Sequence, residues 1–117
     1  MADPTDAEFA AAEERGRIAM VTEPRAKTAR YDAATDRVIV ELFNGCTFMF
    51  PPRLVQGLED ASEAEIAKVE TTPVGFGLHW EASDVDITVA GLMAGRFGTA
   101  RYMVERFGPG WNAVAAE

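Results

Sequence analysis

A chain of 117 residues that is 48% apolar and 26% charged fits a single folded domain and argues against wholesale disorder. Its one cysteine, Cys46, cannot close an internal disulfide, and no apolar run reaches the ~18–20 residues of a membrane-spanning helix. The net charge of −8 and an acidic start without an apolar leader predict a cytoplasmic protein that enters no membrane.

Thr5 and Glu8 have the spacing of a capping box, in which each side chain satisfies an orphan amide at the start of a helix. Ala7, Phe9 and Ala10 to Ala12 favour helix, so a helix is predicted over residues 5–20, closed by Pro24. Its large apolar residues are Phe9, Ile18 and Met20, and Gly16 interrupts it. A helix this thinly apolar needs a surface to pack on.

From Ala26 the period changes to two, and three antiparallel strands are predicted. The first runs to about Tyr31 and turns through DAATD, residues that bond their own backbone. The second is Arg37 to Phe43, and Asn44-Gly45 reads as a type I′ hairpin turn because both residues tolerate positive φ. The third is Cys46 to Phe50, stopped by Pro51 and Pro52. Side-chain alternation puts Val38, Val40 and Leu42 on one face and Ile39, Glu41 and Phe43 on the other, with Met49 joining the second. That second face is too apolar for a solvated one, and three covers are expected: the terminal helices, a second copy of the chain, or a partner protein.

After Pro52, RLVQGLEDA predicts a short helix with Leu54, Val55 and Leu58 inward. Ser62 and Glu65 form a second capping box opening one or two helical turns. The pattern is irregular from Val69, with Pro73, Gly75 and Gly77 marking turns and Phe76, Leu78 and Trp80 sharing a strand-like face. Asp86 to Val89 reads as a short edge strand and Thr99 to Phe107 as a helix offering Tyr102, Met103, Val104 and Phe107. Gly108, Pro109 and Gly110 break it, and the last seven residues are expected to be loose apart from Trp111. The fold class is α+β: a small antiparallel sheet, a three-stranded meander plus a further short strand or two, packed with short helices and flanked by terminal helices. The division is a helical extension at 1–25, a core at 26–98, and a helix with tail at 99–117.

Charge is unevenly placed. Residues 1–30 carry five Arg/Lys against six Asp/Glu, residues 31–90 three against eleven, and residues 91–117 three against two. Nucleic-acid affinity comes from Lys and Arg displacing counterions, so direct binding by the acidic core is disfavoured. The same core attracts a basic protein, although acidity also serves solubility alone.

Chemistry has little to work with. His79 is the only histidine, and Cys46 and Ser83 lack any nucleophile motif around them, so no catalytic residue is assigned. Asp84 and Asp86 with His79 or Glu81 supply oxygen ligands for Mg²⁺ or Mn²⁺, but two acids at this spacing equally serve turns and loop amides. One Cys and one His cannot complete a zinc site. No metal or cofactor is assigned. Arg96, Arg101 and Arg106 recur every five residues and spread around a helix rather than lining one face.

The run RVIVELFNGCTFMFPPRLVQGLEDAS and the block GLHWEASDVDITVAGLMAG carry a resemblance to the bacterial domain-of-unknown-function 2442 family. It spans Ala29 to Gly98, about 70 of 117 residues. The second block is similar to the family's Gly-x-x-(Ile/Leu)-His-Trp…Asp-x-Asp-(Ile/Leu)…Gly-Leu-Leu-x-Gly signature, and the N-terminal helix resembles the longer subgroup. The resemblance implies a small α+β fold with no established enzymatic activity. It places His79, Trp80, Asp84 and Asp86 on signature positions of unassigned role. Some members are taken to be antitoxins against RelE-like ribonuclease toxins, and others are fused to DNA-binding domains that this chain lacks. The expected function is a non-enzymatic, antitoxin-like interaction module. It would bind a basic toxin through Ile39, Glu41, Phe43, Met49 and the acids Glu59, Asp60, Glu63, Glu65, Asp84 and Asp86. A homodimer is favoured. The alternatives are a dimeric DNA-binding regulator and a metal-dependent hydrolase at Asp84 and Asp86.

Overall fold

The computed structural model describes residues 5–111. Two antiparallel three-stranded sheets share one core. The first is built from β1 (Ala26–Asp32), β2 (Arg37–Leu42) and β3 (Thr47–Phe50), in that order across the sheet. The second is β4 (Glu70–Thr71), β5 (Gly77–Trp80) and β6 (Val85–Thr88). Helices α1 (Asp6–Thr22), α2 (Glu63–Ile66), α3 (Val89–Met93) and α4 (Ala100–Phe107) complete an α+β fold. The extra strands anticipated from sequence are a whole second sheet.

Both capping boxes form. Thr5 Oγ accepts the Glu8 amide and Glu8 returns the bond to the Thr5 amide, each at 3.1 Å. Ser62 and Glu65 repeat the arrangement at α2, which lasts a single turn. Gly16 does not interrupt α1, and the helix ends where Glu23 turns extended ahead of Pro24. The expected packing of its apolar residues does not occur: α1 buries none, and Phe9 is 56% exposed.

The first hairpin forms with a different turn. Asn44 is not among the residues with positive φ; only Gly45 is, at +92°. The Gly45 amide reaches the Leu42 carbonyl and the Leu42 amide reaches that of Cys46, which is a type I turn closed by a glycine bulge. Asn44 keeps negative φ while its side-chain oxygen accepts the Cys46 amide at 2.9 Å.

The expected helix over RLVQGLEDA is one 3-10 turn, Pro52–Leu54. Gly57, at φ +96°, then bends the chain so that Val55 and Leu58 are buried without a helix. Strand β6 starts one residue earlier than expected and stops at Thr88, whose hydroxyl caps α3 by accepting the Gly91 amide. Val89, read as strand, is therefore the first residue of that helix.

The core collects Val38, Val40, Leu42 and Phe50 from the first sheet, Leu78 and Trp80 from the second, and Val55, Leu58, Ile66 and Val89 from the connections. The buried Trp80 indole N–H donates to the Ile66 carbonyl at 3.1 Å, tying β5 to α2. Gly75 sits against Ala26 so closely that a Cβ would lie 2.4 Å from its carbonyl oxygen. That contact sets β1 beside the second sheet. Beside it, Val74 holds φ +60°, a strained value for a β-branched residue, with its carbonyl bonded by Arg25 Nε at 2.7 Å.

Trp111, the residue excepted from the loose tail, is half-buried beneath Arg96, while residues 112–117, expected to be loose, lie outside the described residues. Among the described residues no helix is long and apolar enough to cross a membrane.

Candidate functional site

The four signature positions fall on one hairpin and serve different ends. Strands β5 and β6 are joined through Glu81 to Asp84, where the Asp84 amide bonds the Glu81 carbonyl at 3.1 Å and Asp84 takes φ +50°. Asp84 is thus a turn residue, of the kind that tolerates left-handed backbone. The register pairs His79 with Asp86 directly across the strands. Trp80, one residue on, points the other way into the core.

His79 is bracketed. Its Nδ1 lies 2.8 Å from Asp86 Oδ1 and its Nε2 lies 2.6 Å from Glu81 Oε2. Hydrogen bonds to Glu81 first and Asp86 second favour the imidazolium and push the His79 pKa up to about 8, partial desolvation opposing them. The ring nitrogens sit on opposite edges of the imidazole, so the two carboxylates are held apart by the ring between them. They do not converge on one point, and among the described residues no three His, Cys, Asp or Glu side chains are grouped to hold a metal ion. With both ring nitrogens engaged, His79 has no hydrogen bond to Ser83 or to the exposed Cys46 on the other hairpin.

The other sequence-derived surface is brought together in part. Ile39 and Met49 are direct cross-strand partners on the outer face of the first sheet, with Glu41 two residues along the same face. Met49 is 58% exposed, and neither terminal helix covers it. Phe43 lies past the end of the ladder, 56% exposed, with the Arg25 guanidinium 4.6 Å above its ring. It forms one wall of a groove of about 310 Å³ whose other apolar walls are Met20, Val21, Pro24, Leu42 and Met93. Sequence reasoning missed Val21, Arg25 and Met93. Val21 was in plain view at the end of α1, whereas Met93 became legible only once α3 was seen.

The acids do not share one side. Glu41 is on the outer face, whereas Glu63 lies near Tyr31, which is paired with the inward-facing Val38. Tyr31 donates to Asp36 at 2.6 Å, and that bond pushes its pKa up to about 12. The arginines are engaged locally. Arg101 pairs with Glu105 at 2.9 Å, Arg106 bonds the Arg53 carbonyl at 2.7 Å, and Arg96 precedes α4 rather than lying on it.

Two solved structures share this fold. A crystal structure of a protein of unknown function from Rhodospirillum rubrum is 60% identical, with a TM-score of 0.67, over 70% of this chain and 99% of its own. A solution structure of an uncharacterised protein from Chromobacterium violaceum has a TM-score of 0.68 at 23% identity, over 90% of this chain and 95% of that one, and shows the fold alone. No curated protein shows significant similarity to the chain. Residues 26–98 match the family described as "Protein of unknown function (DUF2442)", and the chain belongs to that family.

Proposed function

We propose that this chain is a non-enzymatic, cytoplasmic protein-binding module that needs no cofactor and acts in an antitoxin-like way, by covering the working surface of a basic ribonuclease partner. The observation that carries this reading is the Ile39–Met49 pair, an apolar cross-strand contact on the outer sheet face in which Met49 is 58% exposed and Ile39 half-buried, with the exposed Glu41 beside it. An apolar centre with a charged rim is the pattern of a protein interface. The excess of eleven acids over three bases in residues 31–90 speeds encounter with a basic surface and repels RNA from it. The bracketing of His79 by two carboxylates supports a structural role for that hairpin, since a general base needs a free nitrogen facing its proton donor.

In this reading residues 26–98 form the binding core, and the helical segments at 1–25 and 99–117 flank it. The test is to purify the chain's basic partner from the cells that make both and to follow RNA cleavage by that partner. Stoichiometric suppression by the chain supports the proposal, and undiminished cleavage with the chain in excess refutes it.

A further inference from the structure

Strand β6 is an edge of the second sheet, and its hydrogen-bond pattern leaves that edge open. The Thr72 amide bonds the Gly77 carbonyl, and the Val89 amide bonds the Phe76 carbonyl. Alternation then turns the backbone groups of Gly77 and His79 towards β4, and those of Leu78 and Trp80 towards β6. Their partners Ile87 and Val85 are the bonded residues of β6, so Asp86 and Thr88 turn their backbone groups away from the sheet. The Thr88 carbonyl serves α3, as a cap residue's does. The amides of Asp86 and Thr88 and the Asp86 carbonyl bond no other backbone group among the described residues. A cleft of about 290 Å³ lies beside them, lined by all four residues of β6 and, across from these, by Val55 and Phe97.

We propose that this edge binds an extended peptide, which joins β6 as an antiparallel strand and sets a basic residue, between two apolar ones, opposite Asp86. The three open backbone groups select a strand, because an extended chain presents donors and acceptors at their spacing. The peptide residue opposite Asp86 exchanges both bonds with it, and the residue two before it accepts the Thr88 amide. Side chains alternate, so the residue opposite Asp86 lies on the outer face of the sheet. Its neighbours, opposite Val85 and Ile87, turn inward to the cleft wall formed by Val55 and Phe97. Charge selects the central residue: Glu70, Glu81 and Asp86 surround the single His79 on that outer face, a surplus of carboxylates. A second copy of the chain would bring the same carboxylates to the edge, so the surplus disfavours it. Ile39 and Met49 are on the other sheet, and the inference does not depend on the partner proposed for them.

Amide exchange of the full chain, followed by NMR with the synthetic probe acetyl-Thr-Val-Arg-Val-Thr-amide, tests the proposal. In the free chain the Asp86 and Thr88 amides are expected to exchange fast, and the Ile87 amide between them, bonded to β5, slowly. Peptide at about ten times its dissociation constant is expected to slow both outward amides roughly tenfold. Methylating the arginine nitrogen, which faces β6, is expected to weaken binding about tenfold, whereas methylating the nitrogen of the preceding valine, which faces away, leaves it unchanged. Glutamate in place of the arginine is expected to weaken it about tenfold as well. No slowing at ~1 mM peptide, or slowing indifferent to the methyl group and the charge, overturns the proposal. Slow Asp86 and Thr88 amides in the free chain overturn it too, and a dimer mass in sedimentation then assigns the edge to a second copy.

Discussion

His79 and Asp86 are cross-strand partners whose side chains meet at 2.8 Å, and Glu81 closes on the other ring nitrogen at 2.6 Å. The consequence is a charge-dependent clasp beside the turn of the second hairpin. The folded chain binds the His79 proton more tightly than the unfolded chain, since its pKa moves from 6.5 to about 8. The stabilisation is therefore complete below pH ~6.5 and fades as pH rises through about 8. A histidine titration by NMR is expected to show a midpoint near 8, falling towards ~6.5 in the Glu81→Gln/Asp86→Asn double variant. The wild-type melting temperature is expected to drop between pH 6 and 9 by more than that of His79→Gln. Equal drops would show that the clasp contributes nothing.

Trp80 tests the tie between β5 and α2. Trp80→Phe removes the donor to the buried Ile66 carbonyl and leaves a small void. A loss of about 2–3 kcal/mol is expected from these two effects, read as a lower urea midpoint at unchanged slope.

Gly75 tests the junction of the two sheets. A Cβ there meets the Ala26 carbonyl at 2.4 Å, on a backbone already at φ +86°. Gly75→Ala is expected to cost at least ~2 kcal/mol, from strain and displacement of β1 together.

The neighbouring Val74 gives the opposite sign. Its φ of +60° strains a β-branched residue on an exposed turn, where the side chain has few contacts to lose. Val74→Gly relieves left-handed strain at some cost in unfolded-state entropy, for a net gain of about 1 kcal/mol in denaturant unfolding.

What the sequence revealed follows from how local each signal is. The capping boxes at Thr5/Glu8 and Ser62/Glu65 are complete within four residues, so both helix starts were legible and both formed. Asn44-Gly45 located the hairpin but not its turn type, because the choice depends on whether the Asn44 side chain takes up the Cys46 amide. Strand β4 is two residues long and exists only through its pairing with β5, so nothing local announced it. The RLVQGLEDA segment has helical spacing, yet the positive φ of Gly57 is imposed by packing beneath Val85. At the candidate site, the nearness of His79 to Asp86 depends on the register of a hairpin whose second strand starts at Val85, one residue before the alternation predicts. The outer face was readable by alternation alone. The standing-off of α1 was not, since a helix that buries nothing follows the same local rules as one that packs.

The central claim is that the outer sheet face carrying the exposed Met49 and the half-buried Ile39 binds a basic protein. Its most direct measurement is affinity capture with the full chain from the cells that make it, comparing wild type with Ile39→Glu/Met49→Glu. The account predicts one small basic protein retained in stoichiometric amount by wild type and lost from the double variant, with denaturant unfolding of that variant verifying that the half-buried position 39 of the central strand still folds. Retention by both chains alike, or by neither, would contradict it.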